Sequence, residues 1–161
     1  MEIELDPHLA IVVEKAQQAN PNPPHPADIP VDLFRAGYVL QGQTQALQGL
    51  ICEEVYDSMI DNDGCSVPVR VYRAQQTPAL QPGLIFIHGG GFTIGNLDSH
   101  DSLCRQFALQ AGITVVALDY RLAPENKFPA AVDDCLAATR WILGNAEALG
   151  LRADKIAIGG D

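Results

Sequence analysis

Three features of this sequence predict an α/β fold on a mostly parallel sheet. Leu84-Ile85-Phe86-Ile87 and Ile113-Thr114-Val115-Val116-Ala117-Leu118 are short runs apolar on both faces, the pattern of strands buried inside a parallel sheet. Stretches of helical periodicity separate and follow them. Residues 84–158 thus read strand, helix, strand, helix, strand, an alternation that lays helices over both faces of such a sheet. The first run empties into His88-Gly89-Gly90-Gly91, a loop with no side chain at three successive positions.

Taken in order, Asp6-Pro7 opens a helix, with a capping side chain followed by proline at the first helical position. Leu5, Leu9, Val12, Val13 and Ala16 recur at helical spacing, and Asn20-Pro21 ends the helix. Residues 21–30 hold five prolines and read as a surface loop without regular structure. A short helix is expected over Val31–Leu40. Val55–Ile60 and Val67–Tyr72 form two strands joined at the turn Asp61-Asn62-Asp63-Gly64. Val67, Val69 and Val71 alternate with Pro68, Arg70 and Tyr72, and Pro68 points to an edge strand. After the glycine loop, Asp98 or Ser99 is expected to cap a helix carrying Leu103, Phe107, Ala108 and Ala111, with Gly112 as its stop. Pro129 opens a longer helix with Val132, Cys135, Leu136, Thr139, Ile142, Leu143, Ala146 and Leu149 on one face, closed by Gly150. Lys155–Ile158 is a further short strand. No internal repeat is visible. Residues 1–50 divide off as N-terminal helices with the proline-rich loop, and residues 51–161 as the sheet-forming part.

Composition narrows the class of function. With 47% hydrophobic and 19% charged residues in 161, the chain is globular, with room for one real core. A formal net charge of −10 argues against nucleic acid, whose phosphates need Lys and Arg, and against docking on anionic lipid. Cys52, Cys65, Cys104 and Cys135 are widely spaced, with no C-x-x-C pair, and read as four reduced, mostly buried thiols. No metal site is expected. The acidic start Met1-Glu2-Ile3-Glu4 is unlike a secretory leader, and no apolar run approaches the roughly 20 residues a membrane span needs, so a cytoplasmic location is expected.

Acyl transfer develops a negative oxygen on the substrate carbonyl. Backbone N–H groups held in place by the fold stabilise it, each worth about 3 kcal/mol in a dry site. Gly89, Gly90 and Gly91, directly after a buried strand, meet that need. An ordinary strand-to-helix turn is the bland alternative. A dinucleotide loop would need G-x-G-x-x-G, and a phosphate loop would need a Lys and a Ser or Thr in P-loop spacing; neither is present.

Four segments in order carry a closer resemblance: His88-Gly89-Gly90-Gly91-Phe92 with Gly95; Asp119-Tyr120-Arg121-Leu122-Ala123-Pro124-Glu125; Phe128-Pro129-Ala130-Ala131 with Asp134; and Gly159-Gly160-Asp161. With them the chain resembles the hormone-sensitive-lipase-like family of α/β-hydrolases over residues 84–161. The resemblance implies an α/β-hydrolase fold with an N-terminal helical cap, of which this chain covers roughly the first five strands. The sheet would have eight strands, with Lys155–Ile158 near its middle. Gly90 and Gly91 would donate to the oxyanion, Gly89 would shape the turn and His88 would support the loop without acting as base. Asp161 would orient the nucleophile turn. The segment Asp119–Glu125 would support the fold, with Arg121 paired to Glu125 and Tyr120 beside the nucleophile turn. Phe92 and Phe34 would line the substrate pocket.

The family's nucleophile lies in G-D-S-A-G-G. Gly160-Asp161 match its first two positions, and the serine is expected as the next residue, with acid and base later still. None of the residues present substitutes for them. His8 lies on the first helix, His25 in the proline-rich loop, and His100 at a helix start as a capping or surface residue. Cys104 and Cys135 sit on apolar helix faces. The implied function is a carboxylesterase acting on short to medium acyl esters through a serine acyl-enzyme, with no cofactor. Its partners would be a small-molecule ester and the C-terminal remainder of the same hydrolase, as a second chain or a continuation; a homodimer is an admitted assembly. Two other readings stay open: an inactive small-molecule receptor on the same fold, and an inert scaffold piece if the chain truly ends at Asp161.

Overall fold

The computed structural model describes residues 6–62, 64–74 and 79–161. Met1 to Leu5 and Asp63, which entered the expectations above, lie outside the described residues. Helix α1 is Pro7–Ala19, and the Asp6 carboxylate accepts the His8 N–H at 2.9 Å as its cap. Its apolar side chains stay outside the core: Leu9, Ile11 and Val12 are each at least half exposed. Helical spacing makes the helix, but burial needs a partner surface. The proline-rich loop is exposed, as expected, yet it holds one 3₁₀ turn at Pro26–Asp28, capped where His25 Nδ1 accepts the Ala27 N–H. A proline at the first position of such a turn gives up no hydrogen bond.

Helix α2 runs Val31–Thr44, past the expected end at Leu40. The extra turn packs on the start of the next helix, where Gly42 lies against the Ser99 backbone and the Leu47 N–H reaches Ser102 Oγ.

Strands β1 (Glu54–Asn62) and β2 (Cys65–Arg73) form the expected hairpin, with Asn62 opposite Cys65. The remaining strands are β3 (Gln81–Ile87), β4 (Thr114–Leu118) and β5 (Leu151–Gly160). The sheet order is β1-β2-β4-β3-β5, with β3 parallel to both β4 and β5 and β2 antiparallel to both its neighbours. β2 is therefore interior, against the edge position inferred from Pro68. The ladder to β4 ends at Val69 opposite Leu118. One residue further, the Pro68 carbonyl still accepts the Asp119 N–H at 2.9 Å. The proline's missing N–H falls where the ladder stops, so an inner strand tolerates it. β5 is longer than expected and, among the described residues, pairs with β3 alone.

Helix α3 is Asp101–Ala111, closed by Gly112. The capping position belongs to His100, whose side chain makes no cap, not to Asp98 or Ser99. Asp98 pairs instead with Arg70, and Ser99 Oγ closes a turn onto the Asn96 backbone. Helix α4 is Ala130–Gly144; it breaks at Asn145, and a separate 3₁₀ turn, Ala146–Leu149, carries the chain to Gly150. Its buried stripe is Ala131, Asp134, Ala137, Ala138 and Ile142, whereas Val132, Leu136 and Leu143 are nearly half exposed. The expected face thus holds at Ile142, Ala146 and Leu149 but is rotated by one row of side chains earlier in the helix, because small residues and one anchored carboxylate face the sheet there.

The sheet has a core on each side. Val67, Val69, Val71, Ile85, Val116 and Leu118 pack with α4, while Tyr72, Phe86, Val115 and Ala117 pack with α3. All four cysteines are free, and burial pushes the Cys104 thiol up to about 12 and Cys135 to about 11, which keeps both protonated near neutral pH.

The pairing expected inside the loop after β4 is replaced by two longer-range ones. Arg121 forks onto Asp134 of α4, at 2.7–3.0 Å, while Glu125 pairs with Arg35 of α2 at 2.8 Å. Burial alone would raise the Asp134 carboxyl, but the Arg121 guanidinium and backbone N–H outweigh it and hold it below the usual carboxylate range. Asp134 is 1% exposed and Arg121 46%. In the full-length protein Asp134→Ala should cost about 3 kcal/mol, the low end for breaking a buried pair because Arg121 can rehydrate. Asp134's contribution is complete above the ordinary carboxylate pKa and is lost as pH falls through its depressed folded value. Denaturant midpoints against pH check both: Asp134→Ala should flatten that acid loss, and an unchanged midpoint would rule the anchor out.

Candidate active site

β3 and β5 run parallel and end together, with Ile87 opposite Gly160. That register sets His88 and the glycine loop beside Asp161. The Gly89 N–H donates to Asp161 Oδ1 at 2.9 Å. The chain then turns through left-handed conformations at Gly90 (φ 124°), Gly91 (59°) and Phe92 (60°). A β-carbon on Gly90 would overlap the Ile94 carbonyl, and the Gly90 carbonyl accepts the N–H groups of both Thr93 and Ile94 at 3.1 Å. The Gly90 and Gly91 N–H groups have no acceptor among the described residues. The three glycines thus separate: one N–H is engaged by Asp161 and two are free.

Phe92 is the non-glycine residue in this run, and a left-handed backbone there costs about 1–2 kcal/mol. Its carbonyl is held by the Ala123 N–H at 2.8 Å. Arg35 ties the same region together, donating to the carbonyls of Thr93 and Ala123 and to Glu125. Nothing in the local sequence singles out Arg35, since its partners lie 58 to 90 residues away.

His88 is 4% exposed. Its Nδ1–H donates to the Gly89 carbonyl at 2.8 Å, and its own carbonyl accepts the Tyr120 hydroxyl at 2.6 Å. Tyr120 stacks on the ring at 4.4 Å. Space also requires glycine at 95, where a β-carbon would run into the His88 ring. Burial pushes the His88 pKa down, so the ring is neutral near pH 7, and its Nε2 is buried with no partner among the described residues. Tyr120 therefore supports the loop through His88.

His100 is neither a cap nor a surface residue. It is 6% exposed, stacks on His88 at 5.3 Å, and its Nε2 lies 3.2 Å from Asp161 Oδ2. Burial alone would raise the Asp161 carboxyl, but the Gly89 N–H and His100 outweigh it and hold it below the usual range.

An apolar cavity of about 290 Å³ opens beside Gly91, lined also by Phe92, Ala123, Phe128, Ala131 and Val132 among others. A shallower apolar groove of about 380 Å³ runs from Ile87 and Tyr120 to Ile158, and Phe92, Ala131 and Val132 line both. Phe34, expected beside Phe92, lies half-buried on α2 outside these two. A larger cavity of about 580 Å³ has Arg35, Asp119, Arg121 and Glu125 on its walls, with Arg35 paired to Glu125 and Arg121 to Asp134, and Gly89, Gly90 and Gly91 are not among its lining residues. His8 and His25 are far from the loop in sequence and exposed. Among the described residues no group of three His, Cys, Asp or Glu is placed to hold a metal ion, and no helix is long and apolar enough to cross a membrane.

Residues 84–161 match a sequence model described as the α/β-hydrolase fold. The chain is 50% identical to the ethyl acetate hydrolase of Pseudomonas putida over 106 residues, 65% of this chain and 33% of that protein. Among solved structures, an ester hydrolase from the metagenome of Lake Arreo superposes with a TM-score of 0.85 at 34% identity, over 98% of this chain and 51% of that one. A hyperthermophilic esterase from Pyrobaculum calidifontis also gives a TM-score of 0.85, at 33% identity, over 99% of this chain and 50% of that one. The chain spans about a third of the length of the first curated relative and about half that of these structures. On its sheet and these likenesses, the chain has the α/β-hydrolase fold and is similar to ester hydrolases built on it.

Proposed function

We propose that the full protein is a carboxylesterase that cleaves short to medium acyl esters through a serine acyl-enzyme, with the Gly90 and Gly91 N–H groups receiving the oxyanion. The observation that carries this is the pair of unengaged backbone donors at the end of β3, held by left-handed φ angles, with Gly91 on the wall of an apolar cavity. Relatives named as ester hydrolases support the reaction class.

The general base takes the serine proton as the serine oxygen attacks the ester carbonyl and the carbonyl electron pair moves onto its oxygen; that pair then re-forms the carbonyl, the bond to the alcohol oxygen breaks, and the alcohol leaves with the proton returned by the base. Water repeats the sequence on the acyl-enzyme. The negative oxygen of each tetrahedral intermediate is where donors held in advance lower the barrier. Gly89 holds the turn, since Asp161 already occupies its N–H. Phe92 and Val132 form the apolar wall for the acyl chain. The serine, acid and base are assigned by the resemblance to positions after Asp161, in the C-terminal remainder. We place the enzyme in the cytoplasm.

Three outcomes are expected of the full-length protein. A fluorophosphonate probe should label the residue after Asp161, read by mass mapping; binding of esters with neither labelling nor turnover would favour the receptor reading instead. Gly90→Pro removes one donor and should lower kcat by about 100-fold or more; a folded variant with wild-type turnover would refute the donor role. Phe92→Ala should shift the preferred acyl length upward in a series of p-nitrophenyl esters, and an unchanged profile would remove Phe92 from the pocket.

A further inference from the structure

We infer that His100 is a positioning residue for the oxyanion loop, acting through Asp161; this rests on the esterase reading above. The juxtaposition is specific. Asp161 divides its two carboxylate oxygens between two partners: Oδ1 accepts the Gly89 N–H at 2.9 Å, and Oδ2 faces His100 Nε2 at 3.2 Å. A depressed carboxyl is ionised near neutral pH and only accepts, so His100 Nε2 must carry a proton and donate it.

The other ring nitrogen is occupied too. His100 Nδ1 lies 2.9 Å from Ser99 Oγ; with Nε2 protonated in a neutral ring, Nδ1 accepts the one Ser99 hydroxyl proton, for which the Asn96 carbonyl is the alternative acceptor, while Ser99 Oγ accepts the Asn96 N–H. Backbone turn, serine, imidazole, carboxylate and the Gly89 N–H thus form one continuous chain of hydrogen bonds. His100 itself is clamped: its carbonyl accepts the Cys104 N–H in the first bond of α3, and its ring lies against His88, Phe86 and Tyr38 at 5.3–5.9 Å. One face touches a polar cavity of about 280 Å³ lined by Tyr38, Gln41, Gln45, Ser99 and Ser102.

Asp161 needs this hold. Its side chain is 43% exposed, and a single hydrogen bond from Gly89 leaves the carboxylate free to swing about it. With Oδ2 pinned to a buried ring, Oδ1 stays on Gly89, and the next two N–H groups keep the direction that the turn sets. A small loss of aim at a developing oxyanion is expensive in rate even when the fold is intact.

The test uses the full-length protein. His100→Phe keeps the ring packing but removes the donor; kcat should fall about 10- to 100-fold, with KM within about twofold and an unchanged melting temperature. His100→Gln presents an N–H near the Nε2 position and should recover most of kcat. Wild-type kcat in a folded His100→Phe variant, or equal impairment in Phe and Gln, would overturn the role. Should these variants not fold, ¹⁵N-histidine NMR of the unaltered protein decides: a protonated His100 Nε2 supports the bond to Asp161, and a bare Nε2 overturns it. That readout does not depend on turnover, so an unaltered protein with no esterase activity would sink the proposed function while leaving the His100–Asp161 contact to be judged by the NMR result.

Discussion

The Asp161 carboxylate reaches the Gly89 N–H because two parallel strands end at the same level, Ile87 opposite Gly160. Much else follows from that one hydrogen bond. It consumes the first of three glycine donors and so separates a turn-forming position from two free ones. It brings a carboxylate to within reach of the buried imidazole at the head of α3. It also joins the C-terminal ends of β3 and β5, where ligands bind in open α/β sheets. The rest of the sheet sets this geometry indirectly, by fixing β3 between β4 and β5.

A second layer of restraint comes from arginines that bridge distant segments. Arg35 links α2 to the loops after β3 and β4 through carbonyls and Glu125, and Arg121 links the loop after β4 to α4 through Asp134. A guanidinium suits this work, since its planar fork satisfies several acceptors at once. The backbone at Phe92 is held in a conformation its side chain disfavours, and the Ala123 N–H from one of these same loops secures it. Strain at the site is offset by contacts around it.

The strands and the glycine loop were legible because their signals are local. A run apolar on both faces has few places to go except inside a sheet, and three glycines after it leave backbone donors bare. Helix positions were legible for the same reason, while helix faces were not. α1 has helical spacing yet its apolar side chains stay exposed among the described residues, and the apolar row Val132, Leu136 and Leu143 of α4 lies beside the buried row of Ala131, Asp134 and Ala138. Pro68 misled about strand position: the rule concerns a missing ladder bond, and an inner strand can place that gap just past the end of its neighbour.

By itself the sequence determined the fold class, the order of elements and the place of the glycine loop after a buried strand, since each follows from nearest-neighbour pattern and motif spacing. Tertiary structure alone decided which glycine N–H groups stay free, that Arg121 pairs with Asp134 and Glu125 with Arg35, and that His100 is buried against Asp161, 61 residues away. These are contacts between side chains and backbone groups far apart in the chain. No local preference of His100 or Arg35 distinguishes them from a surface histidine or arginine; strand register and helix docking bring their partners to them.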